Sequence, residues 1–257
     1  MTLPRIYSSE SLQNATTCWL GPDNLRYLKN VLRLKPGDAI LVFDGYGHEF
    51  EARIESFGAS GVSVVLEKLL EGGERRISIT LAQAIPKASK MDWIVKSAAE
   101  LGADEIIPFT ACRSVGRIIG EKAETRVRRW QKIVQEAARC TRSLFVTAVR
   151  PMTDFDDMLL CAKPSALRLI FWEEEARKSI RDILTDQTFG DVRDYFIIVG
   201  PEGGLSRDEV ARARENGFHS VSLGKQILKV ETAAAVILAI IQYEKGLFSE
   251  SFEGGKG

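Results

Sequence analysis

The stretch from residue 195 to residue 242 constrains the fold most, because it contains the same pattern twice. A short apolar run, first at 195–199 and then at 221–223, breaks at a glycine and gives way to a helical pattern. Each repeat therefore predicts a strand, a loop and a helix. If the two strands are parallel members of an open α/β sheet, both loops lie at the carboxyl edge, where such sheets bind ligands. Both could also be plain tight turns, which glycine-rich segments commonly form.

The first loop reads GPEGG at 200–204. Three of its five residues lack a side chain and proline fixes its own φ, so the chain can turn sharply and let a ligand approach the backbone. Ser206 followed by Glu209 is typical of a capping box, which predicts that the next helix begins at residue 207. The loop thus connects a strand to a helix over very few residues.

The second loop reads LGKQILK at 223–229, before a helix that begins near Glu231 or Thr232. Ile227 and Leu228 are apolar although they lie in a loop, which predicts that the loop is tucked inward. Its main-chain groups then need partners from neighbouring chain or from a ligand.

The remainder of the chain indicates two further regions. With 257 residues and 45% apolar composition, it can bury one large core or two modest ones. A helix at 23–32 and strands at 39–43, 50–56 and 62–69 predict a small β-barrel or sandwich over residues 1–73, which ends at a polar, glycine-rich linker. From residue 77, strands and helices alternate, which predicts an α/β unit with a mostly parallel sheet over 74–248. The tail at 249–257 is expected to fray.

The elements predicted for the α/β unit are as follows. Strands are expected at 77–83, 105–109, 145–149, 168–171, 195–199 and 221–223, and helices at 90–101, 122–140, 154–160, 176–184, 207–216 and 232–245.

Charge is distributed unevenly, although the formal net charge is zero. Residues 121–150 contain eight Lys and Arg against three Asp and Glu, whereas residues 151–198 contain ten acids against six bases. On the predicted helix at 122–140, an apolar face that includes Trp130 and Val134 opposes a basic one that includes Arg129 and Lys132. Such a stripe is either an ordinary solvated surface or a contact for a phosphate backbone.

Several classes of protein are disfavoured. Four widely spaced cysteines and two histidines suggest neither a metal site nor a disulfide framework, and they favour a reduced, cytoplasmic protein. The N-terminus lacks the apolar segment of a signal peptide, and the longest apolar run, 233–241, is far shorter than the ~20 residues of a membrane span. Motifs for a dinucleotide, for a P-loop and for a serine nucleophile elbow are missing, which leaves a ligand held by main-chain groups.

Taken together, these motifs resemble those of the RsmE family. The segments that carry the resemblance are GPEGG at 200–204, LG at 223–224 with ILK at 227–229, and ETA at 231–233. NVLRLKPGD at 30–38, Lys96 with ELG at 100–102, RSV at 113–115 and RW at 129–130 extend it over nearly the whole chain. The set is specific, whereas GPEGG alone is only moderately so.

The resemblance implies a PUA-like RNA-binding barrel followed by a SPOUT methyltransferase domain with a deep trefoil knot. It implies a homodimer that transfers a methyl group from S-adenosylmethionine to N3 of a uridine in 16S rRNA of the small ribosomal subunit, with no metal and no membrane. An RNA-binding module that has lost catalysis, and a SPOUT methyltransferase acting on tRNA, are the alternatives.

The resemblance also implies site residues. Lys96 is similar to a basic residue that other SPOUT enzymes place near the reacting group, and Arg113 and Lys229 are further catalytic candidates. The cofactor-binding residues that it implies are Phe171, Gly200, Pro201, Glu202, Gly203, Gly204, Leu223, Gly224, Ile227, Leu228, Thr232 and Ala233. The RNA-binding candidates are Arg5, Arg33, Arg129 and Arg142.

The chain departs from the family pattern in two places. The family usually has Glu-Ala-Ala-x-Gln followed by an Arg and a Pro, whereas this chain has EAARC at 136–140, then Arg142, Ser143 and Thr147. Lys229 stands where arginine is common. We therefore expect an altered substrate-contacting loop.

Overall fold

The computed structural model describes residues 3–87, 89–114 and 118–245. The chain divides into two compact units, the barrel unit (Met1–Arg75 with Gln135–Val146) and the sheet unit (Arg76–Val134 with Thr147–Gly257). The predicted frayed tail at 249–257 and Val115 of the RSV motif lie outside the described residues.

The barrel unit contains a five-stranded sheet in the order β1-β3-β4-β5-β2. Its strands are β1 (Arg5–Tyr7), β2 (Thr17–Leu20), β3 (Ala39–Phe43), β4 (His48–Phe57) and β5 (Val62–Gly72). The three predicted strands are confirmed as β3, β4 and β5. β1 and β2 were missed because runs of three and four residues are too short to show an alternating pattern.

The helical segment of the barrel unit differs from its prediction in kind. Instead of one α-helix at 23–32, helix α1 (Pro22–Arg26) continues into a single π-helical turn, Tyr27–Val31. The side chain of Leu28 in this turn is fully buried and joins the apolar core, which Ile40, Val42 and Ile54 also line. The wider π-helical turn departs from the 3.6-residue period, so the apolar pattern gave only the approximate extent.

The sheet unit is built on parallel strands in the order β12-β10-β11-β6-β7-β8, with β9 paired to β7. They are β6 (Ser78–Ala84), β7 (Glu105–Thr110), β8 (Ala148–Val149), β9 (Thr153–Asp154), β10 (Leu167–Phe171), β11 (Asp194–Val199) and β12 (His219–Val221). All pairings are parallel, so the predicted α/β sheet is confirmed. The central strand β11 is buried from Tyr195 to Val199, as expected for a strand covered on both faces.

The helices are α2 (Lys90–Glu100), α3 (Glu121–Thr141), α4 (Phe155–Leu160), α5 (Ile180–Leu184), α6 (Arg207–Glu215) and α7 (Val230–Glu244). On α3, the predicted apolar face is confirmed, since Trp130 and Val134 are buried whereas Arg129 and Lys132 are exposed. None of the helices that the structure describes is both long enough and apolar enough to span a bilayer.

Three predicted bounds in the sheet unit are wrong. The strand expected at 145–149 is reduced to β8, because residues 145 and 146 belong to the barrel unit, where Tyr46 bridges Phe145. The strand expected at 221–223 is β12, His219–Val221. The helix expected from residue 176 begins at Ile180, because Ser179 and Asp182 form a capping box there.

Candidate functional site

Three loops leave the same edge of the parallel sheet. β10 pairs in parallel with both β11 and β12, so the chain that follows each strand emerges at the shared carboxyl edge. We refer to residues 172–179 as the β10 loop, residues 200–206 as the β11 loop and residues 222–229 as the β12 loop. The last two contain most of the predicted cofactor-binding residues.

The β11 loop is held by many contacts. Its turn closes through the N–H of Gly204, which donates to the carbonyl of Pro201 at 2.9 Å. The buried amide of Gln83 lies 3.5 Å from the carbonyls of Val199 and Gly200. The guanidinium of Arg113 donates to the carbonyl of Gly203 at 2.8 Å.

The far end of the β11 loop is fixed by the predicted capping box, which is confirmed. The hydroxyl of Ser206 accepts from the N–H of Glu209, whose carboxylate accepts from Ser206 in return. The same carboxylate, almost fully buried, also accepts the N–H of Cys112 at 2.8 Å. The buried carboxyl group of Glu209 therefore has hydrogen-bond partners from both the loop and Cys112.

Glycine is required at 200 for steric reasons. A Cβ on Gly200 would lie 2.9 Å from Cγ of Leu205, which is buried, and 3.3 Å from the main-chain nitrogen of Leu205. Gly204 has φ of +69°, a conformation that L side chains rarely adopt, and the carboxylate of Glu173 from the β10 loop lies directly against it. The β10 and β11 loops therefore pack closely.

Glu202 makes ionic contacts within the sheet unit. Its carboxylate accepts the N–H of Lys87 at 3.1 Å and lies 2.9 Å from Nζ of Lys90. Burial raises the pKa of this carboxyl, but the contacts with Lys90 and the N–H donors outweigh burial and leave the pKa below its ordinary value. Glu202 is therefore charged at neutral pH.

The β12 loop is open after its first residue. The main-chain N–H of Ser222 donates to the carbonyl of Lys178 at 2.9 Å, and the carbonyl of Ser222 accepts from the N–H of Ile180 at 3.1 Å. These bonds connect the start of the β12 loop to the β10 loop and to α5. From 223 to 228, the main chain makes no hydrogen bond to another described residue. Gly224 has φ of +104°, and a Cβ there would meet nothing within 4 Å.

The prediction that the β12 loop is tucked inward is wrong for Ile227. Its side chain is 82% exposed, whereas that of the neighbouring Leu228 is partly buried. Apolar character alone does not bury a loop residue when no other layer of the structure covers it. A single exposed apolar side chain is common on protein surfaces, so the open main chain beside Ile227 is the stronger indication of a ligand-binding surface.

The candidate catalytic cations occupy different places. Arg113 lies against Gly203 of the β11 loop, and Lys229 is the exposed N-cap residue of α7, at the end of the β12 loop. Lys96 is exposed on α2 and pairs with Glu100 at 3.7 Å, and we find no hydrogen bond or ion pair between its side chain and either loop among the described residues. Two of the three candidates are therefore adjacent to the loops.

The remaining predicted cofactor residues lie around the same edge. Phe171 is the buried last residue of β10, whereas Thr232 and Ala233 lie in the first turn of α7. Three buried polar atoms near the loops lack a hydrogen-bond partner within the described structure, namely Nε1 of Trp172, Oε1 of Gln83 and Oε2 of Glu231. Open main chain in the β12 loop and unpaired donor and acceptor atoms fit a ligand with polar edges, such as an adenosine.

The predicted RNA-binding arginines differ in exposure. Arg33 and Arg142 are exposed in the barrel unit, each with positive φ, and Arg129 is exposed on α3 beside Asp92. Arg5 is buried. Its guanidinium stacks on Phe43 at 3.6 Å, pairs with Glu49 and donates to the carbonyls of Ala138 and Ser143 at 2.8 Å. Its donors are thus used within the barrel unit, which leaves little of it for RNA.

Sequence reasoning missed three residues at the edge, namely Gln83, Lys90 and Glu173. Gln83 had a detectable signal, since a long polar side chain follows the apolar Leu81 and Ala82 at the end of the predicted strand. Lys90 and Glu173 carried none, because each was one charged residue among several in its segment. Nor do the described residues contain a group of three or more side chains suited to a metal ion.

Two family models match the chain. Residues 73–242 match the RNA methyltransferase domain, and residues 20–67 match the RNA methyltransferase PUA domain. The first covers well over half of the chain, and the second falls within the barrel unit.

Two named relatives match over almost their full length. The chain is 30% identical to ribosomal RNA small subunit methyltransferase E of Bacillus subtilis over 93% of this chain and 95% of that protein. It is 31% identical to the protein of the same name from Rickettsia conorii over 94% and 96%. A crystal structure of ribosomal RNA small subunit methyltransferase E from Neisseria gonorrhoeae, bound to S-adenosyl methionine, superposes with a TM-score of 0.77 at 32% identity, over 94% of this chain and 98% of that one. The expected fold, a SPOUT domain with a PUA-like barrel, is confirmed by these matches.

Proposed function

Because the chain belongs to the ribosomal RNA small subunit methyltransferase E family, we propose that it is an S-adenosylmethionine-dependent methyltransferase that methylates N3 of a uridine in 16S rRNA. The observation that carries the proposal is the pairing of two unlike loops at one sheet edge. The β11 loop is fixed by hydrogen bonds and ion pairs, and the β12 loop presents unpaired main chain and an exposed isoleucine. One loop supplies a rigid wall and the other supplies hydrogen-bonding groups for a ligand.

The cofactor supplies the methyl group as a sulfonium when it is bound. In this proposal, main-chain groups of residues 223–228 bind the adenine edge, and Ile227 and Leu228 are its apolar contacts. The β11 loop, with Gly200 and Gly204, supplies a close backbone surface. The resemblance to the family and the unpaired state of this main chain support that assignment.

The reaction requires charge stabilisation, because uracil N3 carries a proton and is a poor nucleophile. The anion spreads its charge onto O2 and O4, so a nearby cation lowers the barrier. Arg113 and Lys229 are favoured over Lys96 because they adjoin the two loops. The chain itself must also orient N3 in line with the methyl group.

The barrel unit, together with exposed Arg33, Arg129 and Arg142, is proposed to bind the rRNA, and the active form is proposed to be a homodimer in the cytoplasm. Support for the dimer comes from α7, where Tyr243 is 73% exposed and only one face, which includes Ile237 and Ile241, is fully buried. The domain boundaries proposed for these roles are 1–73 for the PUA-like RNA-binding domain and 74–248 for the methyltransferase domain.

Two measurements test this function. Calorimetry with S-adenosylmethionine should detect one site per chain, and incubation with radiolabelled cofactor and small ribosomal subunits lacking the modification should transfer label to a uridine of 16S rRNA. Binding of RNA without binding of cofactor would instead favour an RNA-binding module. Transfer of label to tRNA and not to rRNA would favour the tRNA alternative.

The role of the cations is tested by single-turnover rates of Arg113→Ala, Lys229→Ala and Lys96→Ala. We expect the largest loss, about 100-fold or more, at whichever cation stabilises the uracil anion, since removing one donor of this kind costs about that factor. Wild-type rates in all three variants would contradict the proposed chemistry.

A further inference from the structure

Lys90 forms ion pairs with both the β11 loop and the start of α7. It is the first residue of α2, and its ammonium lies 2.9 Å from the carboxylate of Glu202 in the β11 loop. The same ammonium lies 3.4 Å from Oε2 of Glu231, in the first turn of α7, directly after the β12 loop. One cation therefore lies between two carboxylates that come from different loops.

These contacts restrain the β11 loop relative to the starts of α2 and α7. Glu202 also accepts the N–H of Lys87 with both oxygens at 3.1 Å, so the chain before α2 contributes a main-chain and a side-chain donor to it. The side chain of Lys90 is 35% exposed, and those of Glu202 and Glu231 are 22% and 23% exposed. They are thus more shielded from water than an ordinary surface ion pair, and screening weakens them less.

We propose that Lys90 is a positioning residue for the cofactor site, which holds the β11 loop and the start of α7 at a fixed separation through Glu202 and Glu231. The proposal rests on the proposed function and goes beyond it, because Lys90 is not among the candidate cofactor-binding or catalytic residues. Within the described part of the chain, its ammonium pairs with the two carboxylates and makes no hydrogen bond to the main chain of either loop. Its action is on the protein before the cofactor arrives.

The consequence of losing Lys90 follows from charge. Without the ammonium, two carboxylates face each other with no cation between them and repel. The β11 loop and the start of α7 then separate or fluctuate. Part of the binding free energy is used to restore their separation, so the affinity for the cofactor falls. The pKa of Lys90, raised chiefly by Glu202, agrees with a charge that is fully present at neutral pH.

Lys163 offers a matched control. Its ammonium pairs with Asp194 at 2.8 Å, and Asp194 begins β11, at the opposite end of the strand from the β11 loop. Removing this lysine also breaks an ion pair on β11 while leaving both loops untouched.

The experiment measures S-adenosylmethionine affinity by calorimetry and hydrogen exchange of the ligand-free protein over residues 200–206. For Lys90→Met we expect affinity to fall about tenfold, as for the loss of a charge-assisted contact, and exchange in the β11 loop to rise. Lys90→Arg should stay within about twofold of wild type, since it keeps the charge, and so should Lys163→Met, since an exposed pair contributes little.

A double-variant background separates positioning from a general loss of stability. If Lys90 acts through the two carboxylates, Lys90→Met should change affinity by less than about twofold once Glu202→Gln and Glu231→Gln are present, since no repulsion is left. Unchanged affinity and exchange in Lys90→Met, or an undiminished effect in the double-Gln background, would overturn the proposal. A wild-type protein that binds no cofactor would instead refute the proposed function, and hydrogen exchange would still test Lys90.

Discussion

The β11 loop and the β12 loop follow neighbouring parts of one sheet, but they are built in opposite ways. The β11 loop is closed by its own turn, by Arg113 and by a capping box whose glutamate is almost fully buried. Within the described part of the chain, the main chain of the β12 loop is hydrogen-bonded at Ser222 and then free of such bonds up to residue 228, and Gly224 and Ile227 are exposed. The contrast suggests a division of roles within the proposed site. The β11 loop is preorganised by its own hydrogen bonds, whereas the β12 loop has main-chain groups available to a ligand.

The largest effect is expected from a side chain added to the closed loop. Gly200→Val should lower the free energy of unfolding by about 3 kcal/mol and abolish cofactor binding, because a Cβ collides with buried Leu205 and branching worsens the collision. Thermal denaturation and calorimetry measure both quantities.

The matched change in the open loop is Gly224→Ala, where a Cβ has free space but φ is +104°. The strain should lower stability by about 1–3 kcal/mol with no steric collision. If Gly200→Val instead folded and bound as wild type does, the β11 loop would not be the fixed wall.

The next effect separates affinity from stability. Ile227→Asp should leave the free energy of unfolding within about 0.5 kcal/mol, because the side chain is exposed, while lowering cofactor affinity by about tenfold or more through loss of an apolar contact. Leu160→Asp is the control, since Leu160 is 78% exposed at the end of α4. Equal affinities in the two variants would mean that Ile227 does not touch the ligand.

A smaller effect concerns the capping box of the β11 loop. Ser206→Ala should cost about 1 kcal/mol of stability, the usual cost of losing an N-cap hydroxyl. Ser179→Ala removes the corresponding hydroxyl from the capping box of α5 and should cost a similar amount. Chemical denaturation of both variants measures these costs, and a Ser206 variant as stable as wild type would show that the loop's other contacts suffice.

The smallest effect is a dependence on pH. The pKa of Glu202 is lowered by Lys90 and N–H donors in spite of burial, so its stabilising contribution is complete above the ordinary value of 4.5 and is lost as pH falls through the lower folded value. Cofactor affinity should therefore weaken below about pH 4.5 in the wild type, and this component should vanish in Glu202→Gln. Identical acid profiles for the two proteins would show that Glu202 does not restrain the β11 loop.

Much of the fold could be predicted because the spacing of apolar residues along a chain differs between strands and helices. β3 and the start of α6 were predicted to the residue, and the capping box at Ser206 was read from two letters. The orientation of Ile227 could not be predicted, since burial depends on which layers lie above a loop. The burial of Arg5 could not be predicted either, because its guanidinium donates to carbonyls more than 130 positions away in the sequence.

At the site, main-chain features were the easier part to anticipate. The glycines of the two loops were visible in the sequence as departures from apolar and helical patterns. Lys90 was not, because an ion pair spanning 112 and 141 positions leaves no local trace.

The barrel unit is completed by Gln135–Val146, which arrives from the middle of the chain. Within it, the carbonyls of Ala138 and Ser143 receive the donors of Arg5, and the N–H of Gly47 donates to Leu144. A fragment that stops at residue 75 would therefore keep the pairing of Arg5 with Glu49 but lose the two carbonyls that accept its other donors. A single cut after residue 75 therefore removes part of the barrel unit. A version of this unit designed to fold alone would need residues 135–146 joined to residues 1–75.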